Sequence, residues 1–175
     1  MAELTVTAVG VDRPGIVAAL TEALLTIGAN LEDCRAALLR GSFAMVMAVQ
    51  VPDTVDRDTV RAALAPVGAE MGLEVWVGDS AGTVPAAAGE RCVISVYGAD
   101  HPGIVHAVSR ALADSRVNIL DLSSRIVGDP PVYVLGIEAE LPTGLTVAGL
   151  EALVRPVADA QHVELHIERE ADEVL

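Results

Sequence analysis

Two short segments carry the residue types most capable of chemistry. They are Gly10-Val11-Asp12-Arg13-Pro14-Gly15-Ile16-Val17 and, 88 residues later, Gly98-Ala99-Asp100-His101-Pro102-Gly103-Ile104-Val105. Each sets a carboxylate, a cationic or titratable side chain, a proline and two glycines at the same spacing. Each falls where apolar alternation gives way to apolar residues at helical spacing, so each is expected at a strand-to-helix junction. The amides of a first helical turn lack intrahelical partners and face the positive end of the macrodipole. The N–H groups of Ile16-Val17 and Ile104-Val105 are therefore suited to an anion. An ordinary helix start, with Asp near the N-terminus and Pro at the first helical position, accounts for Asp12, Asp100, Pro14 and Pro102. It leaves Gly15 and Gly103 unexplained, because Gly inside the first turn costs up to about 1 kcal/mol relative to Ala. A glycine there admits close approach of a ligand or another backbone.

Asn30-Leu31 and Asn118-Ile119 repeat at the same interval, each at the start of a second predicted strand. An Asn amide both donates and accepts, so it can meet an ammonium or a carboxylate; it is equally an ordinary residue after a helix end. The 88-residue register also aligns Ala19 with Ala107, Ala23-Leu24 with Ala111-Leu112, and Asp33 with Asp121. Such self-similarity marks a duplicated domain. Cys34 falls on Leu122 and Cys92 on Leu4, so neither thiol repeats, and both read as small hydrophobic residues.

The elements that must position these residues follow from periodicity. In the first copy Leu4, Val6 and Ala8 alternate as a strand, and a helix begins at Pro14 with Ile16, Leu20, Ala23, Leu24 and Ile27 on one face and Gly28 at its end. Strands at about Asn30–Leu39 and Ser42–Val51 join at Arg40-Gly41. Val60, Leu64, Val67 and Met71 mark a second helix, and Leu73, Val75 and Val77 a last strand. The second copy repeats the order: strand Cys92–Tyr97, helix Pro102–Ser115, strand Val117–Val127, a turn at Pro130-Pro131, strand Val132–Leu141, a helix faced by Leu150, Leu153, Val154 and Val157, and a strand with Val163, Leu165 and Ile167. The expected fold class is α+β, two ferredoxin-like βαββαβ domains, each a four-stranded antiparallel sheet with two helices on one face. The expected limits are 1–79 and 91–170, with a small-residue linker at 80–90 and a charged tail at 171–175.

Composition narrows the function. All eleven basic residues are Arg, against twenty-five acidic ones, for a net charge of −14. Without Lys there is neither a Schiff base nor a P-loop ammonium. So acidic a chain repels a phosphate backbone, which argues against direct nucleic-acid binding. Phe43, Trp76, Tyr97 and Tyr133 are the only aromatic residues, too few to stack bases across a sheet. No apolar run is long enough to span a bilayer and the N-terminus lacks a basic signal segment, so a cytoplasmic protein without membrane contact is expected. His162 and His166, on one predicted strand, lie about 13 Å apart at roughly 3.3 Å per residue and cannot share a metal. His101 and His106 have Arg13 and Ala18 as counterparts and read as surface groups rather than a ligand pair. No cofactor, metal or catalytic grouping is indicated, and a non-enzymatic role is expected.

The Asp-x-Pro-Gly-Ile-Val loops, each followed by its Asn, resemble the ACT domain, a small regulatory module that binds amino acids. The resemblance covers nearly the whole chain in two copies. It implies ligand-binding roles for Asp12, Arg13, Pro14, Gly15, Ile16, Val17, Asn30 and Leu31, and for Asp100, His101, Pro102, Gly103, Ile104, Val105, Asn118 and Ile119. The second copy departs at His101 and at Arg116-Val117, where the first has Arg13 and Gly28-Ala29. The resemblance further implies edge-to-edge pairing of domains, within a chain or between the two chains of a homodimer, and a small amino acid, glycine or serine, held between one domain's loop and its neighbour's Asn. The tandem arrangement, with Asn30–Arg35 and Gly41–Met47, is more narrowly similar to glycine cleavage system transcriptional repressors. These imply action through a protein partner, such as a transcriptional activator. The alternative is a stand-alone subunit that docks on and modulates an amino-acid biosynthetic enzyme.

Overall fold

A computed structural model describes residues 1–80 and 89–170. Most of the expected linker and the tail at 171–175 lie outside the described residues. The chain divides into two compact units, Met1–Val84 and Pro85–Leu175. The first contains β1 (Ala2–Val11), α1 (Ile16–Thr26), β2 (Asn30–Leu39), β3 (Ser42–Val51), α2 (Arg57–Met71) and β4 (Leu73–Asp79). The second contains β5 (Arg91–Gly98), α3 (Ile104–Asp114), β6 (Asn118–Val127), β7 (Val132–Glu140), α4 (Val147–Ala160) and β8 (Val163–Arg169). The sheets have the orders β2-β3-β1-β4 and β6-β7-β5-β8, all neighbours antiparallel. Both units are thus ferredoxin-like βαββαβ folds.

Strand alternation and helix periodicity meet in the cores. Leu4, Val6 and Ala8 of β1 and Met45, Met47 and Val49 of β3 turn toward the helices, where Ile16, Leu20, Leu24, Val60 and Leu64 are buried against them. Ile94, Val96, Leu135 and Ile137 meet Ile104, Val108, Leu112, Leu150 and Val154 in the second unit in the same way. Two features were not visible in the periodicity. α2 and α4 each run through a proline, Pro66 and Pro156, although each removes one intrahelical hydrogen bond. β2 and β6 each carry a register shift, between Leu31 and Asp33 and between Ile119 and Asp121, the mark of a bulge.

The hairpins differ. Arg40 and Gly41 both have positive φ, as a two-residue turn between twisted antiparallel strands requires. The second unit uses four residues, Gly128-Asp129-Pro130-Pro131, with a cis Asp129–Pro130 bond. Those two extra residues move the repeat interval from 88 to 90 beyond the hairpin, so Gly10 and Gly98 pair with Leu73 and Val163.

Candidate functional site

The duplicated segments form the β1–α1 and β5–α3 loops, and their helices start later than the sequence suggests. α1 begins at Ile16 and α3 at Ile104. Pro14 and Pro102 therefore lie in the turn before the helix, not at its first position. Gly15 and Gly103 are the N-cap residues, with φ 95° and 108°, and not members of the first turn. Glycine is there because the backbone is left-handed, a conformation that costs an L-residue about 1–2 kcal/mol.

These two helices also differ from the other pair in how they are capped. The Asp56 carboxylate accepts from Thr59 N–H at 2.8 Å at the start of α2, and Thr146 Oγ1 from Gly149 N–H at 3.1 Å at the start of α4. α1 and α3 have no side-chain cap and no acidic residue in the first turn. Their first backbone bonds are Ala19 N–H to Gly15 O at 2.9 Å and Ala107 N–H to Gly103 O at 2.8 Å. The amides before these residues face out of the helix with its positive end behind them. Ile16 and Ile104 are buried core side chains, so only their backbones are free to serve a ligand. Asp12, Arg13, Pro14, Gly15, Val17, Asp100, Pro102, Gly103 and Val105 are exposed and His101 is half-buried.

Each loop is braced by the turn between the second helix and last strand. A Cβ on Gly10 would lie 2.6 Å from Gly72 O, and one on Gly98 2.7 Å from Val163 Cγ1. Glycine thus permits the close approach. In the first unit Arg13 reaches the turn, with a guanidinium nitrogen 3.6 Å from where a Gly72 Cβ would stand. Asp12 N–H also donates to Gly41 O at 2.9 Å, tying the loop to the hairpin. In the second, His101 Nε2 lies 2.8 Å from Gln161 O and Nδ1 3.2 Å from Pro102 O. Both partners are carbonyl acceptors and favour the doubly protonated ring. The Gln161 bond first, then that to Pro102, holds its pKa above the usual imidazole value, with a smaller contribution from Asp100 and against some desolvation.

Asn30 and Asn118 stand elsewhere. Val11 pairs with Ser42 at one end of β3, and Asn30 with Gln50 at the other, about 27 Å away at roughly 3.4 Å per residue. The second unit has the same arrangement, with Asn118 opposite Glu140. The structure does not bring loop and Asn together within either unit. Asn30 and Leu31 instead line a groove of about 530 Å³ with Ala18, Thr21, Leu25 and Ala29 of the α1 side.

One family model of the ACT domain matches residues 3–78 and a second matches 93–169. The chain belongs to the ACT-domain family, as a tandem of two. A protein of Methanopyrus kandleri, designated UPF0237, is 41% identical over 78 residues, 44% of this chain and 87% of that protein. The glycine cleavage system transcriptional repressor of Escherichia coli is 28% identical over 123 residues, 70% of this chain and 64% of its own length. A phosphoserine phosphatase of Mycobacterium tuberculosis is 29% identical over 171 residues, which is 93% of this chain but 40% of the phosphatase. Among solved structures, a protein of unknown function from Galdieria sulphuraria superposes with TM-score 0.84 at 26% identity, covering 97% of this chain and 99% of that one. A candidate glycine cleavage system transcriptional repressor shares the fold, with TM-score 0.71 at 18% identity and 98% of both chains covered.

Around the two ACT loops, sequence reasoning missed the bracing residues. Met71 Cε and Gln161 Oε1 each lie 3.5 Å from where a Cβ on Gly15 or Gly103 would stand. Met71 carried only the signal of a helix face, and Gln161 none. His162, expected on the last strand, lies in the turn before β8 with φ 53°. It lines a cleft of about 630 Å³ beside the second loop with Tyr97, Gly98, Asp159 and Glu164. Cys34 is exposed on edge strand β2 rather than buried, whereas Cys92 is a core residue whose thiol pKa burial pushes up. Among the described residues no three His, Cys, Asp or Glu side chains are grouped to hold a metal, and no helix is long and apolar enough to cross a membrane.

Proposed function

We propose that this tandem ACT protein is a non-enzymatic regulator that binds a small amino acid, glycine or serine, at its uncapped helix starts. The observation that carries this reading is the contrast in capping. α2 and α4 satisfy their first amides with their own side chains, whereas α1 and α3 begin at a left-handed glycine in a duplicated loop and leave theirs to another acceptor. A ligand carboxylate would take those amides, and Asp12 or Asp100 the ammonium, completed by an Asn from a paired domain.

Pairing is what the separation of loop and Asn calls for. β1 and β2 both run antiparallel to β3, so the loop lies near the end of β2 and Asn30 at its start. A second domain set antiparallel along this open edge places its own Asn beside the loop. The unpaired edge gives the physical motive. The similarity to the glycine cleavage system transcriptional repressor supports a regulatory role, and the net charge of −14, which disfavours direct nucleic-acid contact, supports one exerted through a protein partner.

Calorimetric titration with glycine, serine and the other proteinogenic amino acids tests the proposal. Saturable heat is expected for at least one, weakened tenfold or more by Gly15→Val or Asn30→Ala with unchanged circular dichroism. Folded protein that gives no heat with any of them refutes it. The match of 93% of the chain to part of a phosphoserine phosphatase favours a second reading, a regulatory subunit docking on a biosynthetic enzyme. Affinity purification separates the two by returning a transcription factor or a metabolic enzyme.

A further inference from the structure

We propose that the open face of the first sheet is a self-association surface, on which the same face of a second copy of this chain packs sheet against sheet. Opposite the buried Leu4, Val6 and Ala8, β1 presents Thr5, Thr7, Val9 and Val11; β3 presents Ser42, Ala44, Val46 and Ala48. Val9 is 44% exposed, Val11 67%, Val46 49%, and Trp76 on the adjoining β4 58%. A contiguous exposed apolar surface of this kind marks an interaction site.

Charge selects the occupant. From Leu4 to Val11 and from Ser42 to Val51 there is no charged residue at all. On the two inner strands an ionic partner finds only Glu3, at the end of β1 opposite Gln50. The second unit is built oppositely, with Glu138 on β7 and Glu164, His166 and Glu168 on β8 of its open face. Two copies of a chain with net charge −14 repel each other. Contact through the first sheet brings no carboxylate onto a carboxylate from Leu4 to Val11 or along β3. Glu3 at the end of β1, Glu74 on β4, and Asp33 and Arg35 on β2 remain at the rim, the usual place for charge in an interface.

Shape agrees. A Cβ on Gly78 would lie 2.1 Å from the Trp76 ring, so the indole lies along its own strand over the glycine instead of projecting from the sheet. With Thr5, Thr7, Ala44 and Ala48 beside it, the surface is flat and small-featured, suited to a second sheet at about 10 Å. Four strands about 4.8 Å apart and some 30 Å long offer a footprint on the order of 500 Å² per copy. The total of about 1,000 Å² is at the lower limit for a specific interface, so the dimer is expected to depend on concentration. This contact leaves the β2 edge free and is separate from the edge pairing proposed for ligand binding.

The test is sedimentation velocity of the full chain across a concentration series, with Trp76 emission read in parallel. The expected result is a monomer–dimer equilibrium in which Trp76 emission shifts to the blue as dimer forms. Val46→Glu weakens it at least tenfold with unchanged circular dichroism, while Leu38→Glu, on the other side of the β2 edge, changes it less than twofold. A monomer with constant emission at all concentrations overturns the proposal. So does a dimer weakened by Leu38→Glu and not by Val46→Glu, or emission already blue-shifted in a monomer. Amino-acid titration of Val46→Glu keeps the readings apart, because binding heat is expected to survive there whatever becomes of the dimer.

Discussion

The two units place the same backbone around different side chains. Both loops enter a helix through a left-handed glycine, both are braced by the second-helix turn, and both are followed by an Asn and a bulge. Yet the first is braced by Arg13 and Met71, and the second by His101 and Gln161. The shared backbone supplies what any carboxylate needs, free amides at the positive end of a helix. On the function proposed above, the differing side chains would set what else is recognised, so the two loops are expected to share a ligand class and differ in affinity and pH response.

The largest effect follows from the shared backbone. Gly15→Ala and Gly103→Ala are each expected to cost about 1–2 kcal/mol in chemical denaturation, the ordinary penalty of a left-handed L-residue. Space is not the issue, because the nearest atoms to the added Cβ are at 3.5 Å in both units. The costs should match, since the φ values do. A difference above about 1 kcal/mol breaks the claim that the loops are equivalent, given that typical substitutions differ on that scale.

That equivalence was legible in the sequence only in part. The 88-residue repeat and the alternation of Leu4, Val6 and Ala8 carried the fold, because burial on one face of a sheet writes itself into every second residue. The helix starts were misplaced because Pro14 and Pro102 fit the favoured first helical position as well as the turn before it. Only the backbone dihedral reveals that Gly15 is a cap. The bulges at Leu31/Asp33 and Ile119/Asp121 leave no composition signal, and the bracing of the loops by Gln161 and Gly72 depends on contacts far along the chain. The Asn positions could be found, but not that they lie at the opposite end of the sheet from the loops.

The next effect separates capping from binding. Thr146→Ala removes the side-chain cap of α4 and is expected to cost about 1 kcal/mol of stability with no change in amino-acid affinity. Asp12→Ala and Asp100→Ala remove no cap, so stability should hold within about 0.5 kcal/mol while affinity falls. A stability loss at Asp12 or Asp100 equal to that at Thr146, with affinity intact, returns both carboxylates to a structural role. Asp56 adds a pH signature: its pKa is lowered by the Thr59 hydroxyl and then the Thr59 amide, so its stabilisation is present above the unfolded carboxylate value and is lost as pH falls through the folded one.

A smaller effect distinguishes the braces by pH. With its pKa raised, His101 contributes stability that is complete below the unfolded imidazole value and is lost as pH rises through the folded value. The first brace has no imidazole to titrate in that range. Imidazole titration by NMR should place His101 above an unstructured histidine, and His101→Gln should flatten the neutral-pH stability profile of the second unit alone. A His101 titration at or below the unstructured value removes the distinction between the braces.

The smallest effect concerns the helices behind the loops. α3 displays His106, Arg110 and Asp114, the last two joined by an ion pair at 3.2 Å, whereas α1 displays Val17, Thr21 and Leu25 with Glu22 as its only charge. Arg110→Ala is expected to cost no more than about 0.5 kcal/mol, since an exposed pair one helical turn apart is worth little and is screened by salt. Leu25→Gln removes an exposed apolar side chain and should leave the isolated chain equally stable. If Leu25→Gln alters amino-acid affinity or domain pairing while Arg110→Ala does not, then α1 with its groove is the working edge of the tandem. Equal indifference in both variants places ligand recognition in the loops alone.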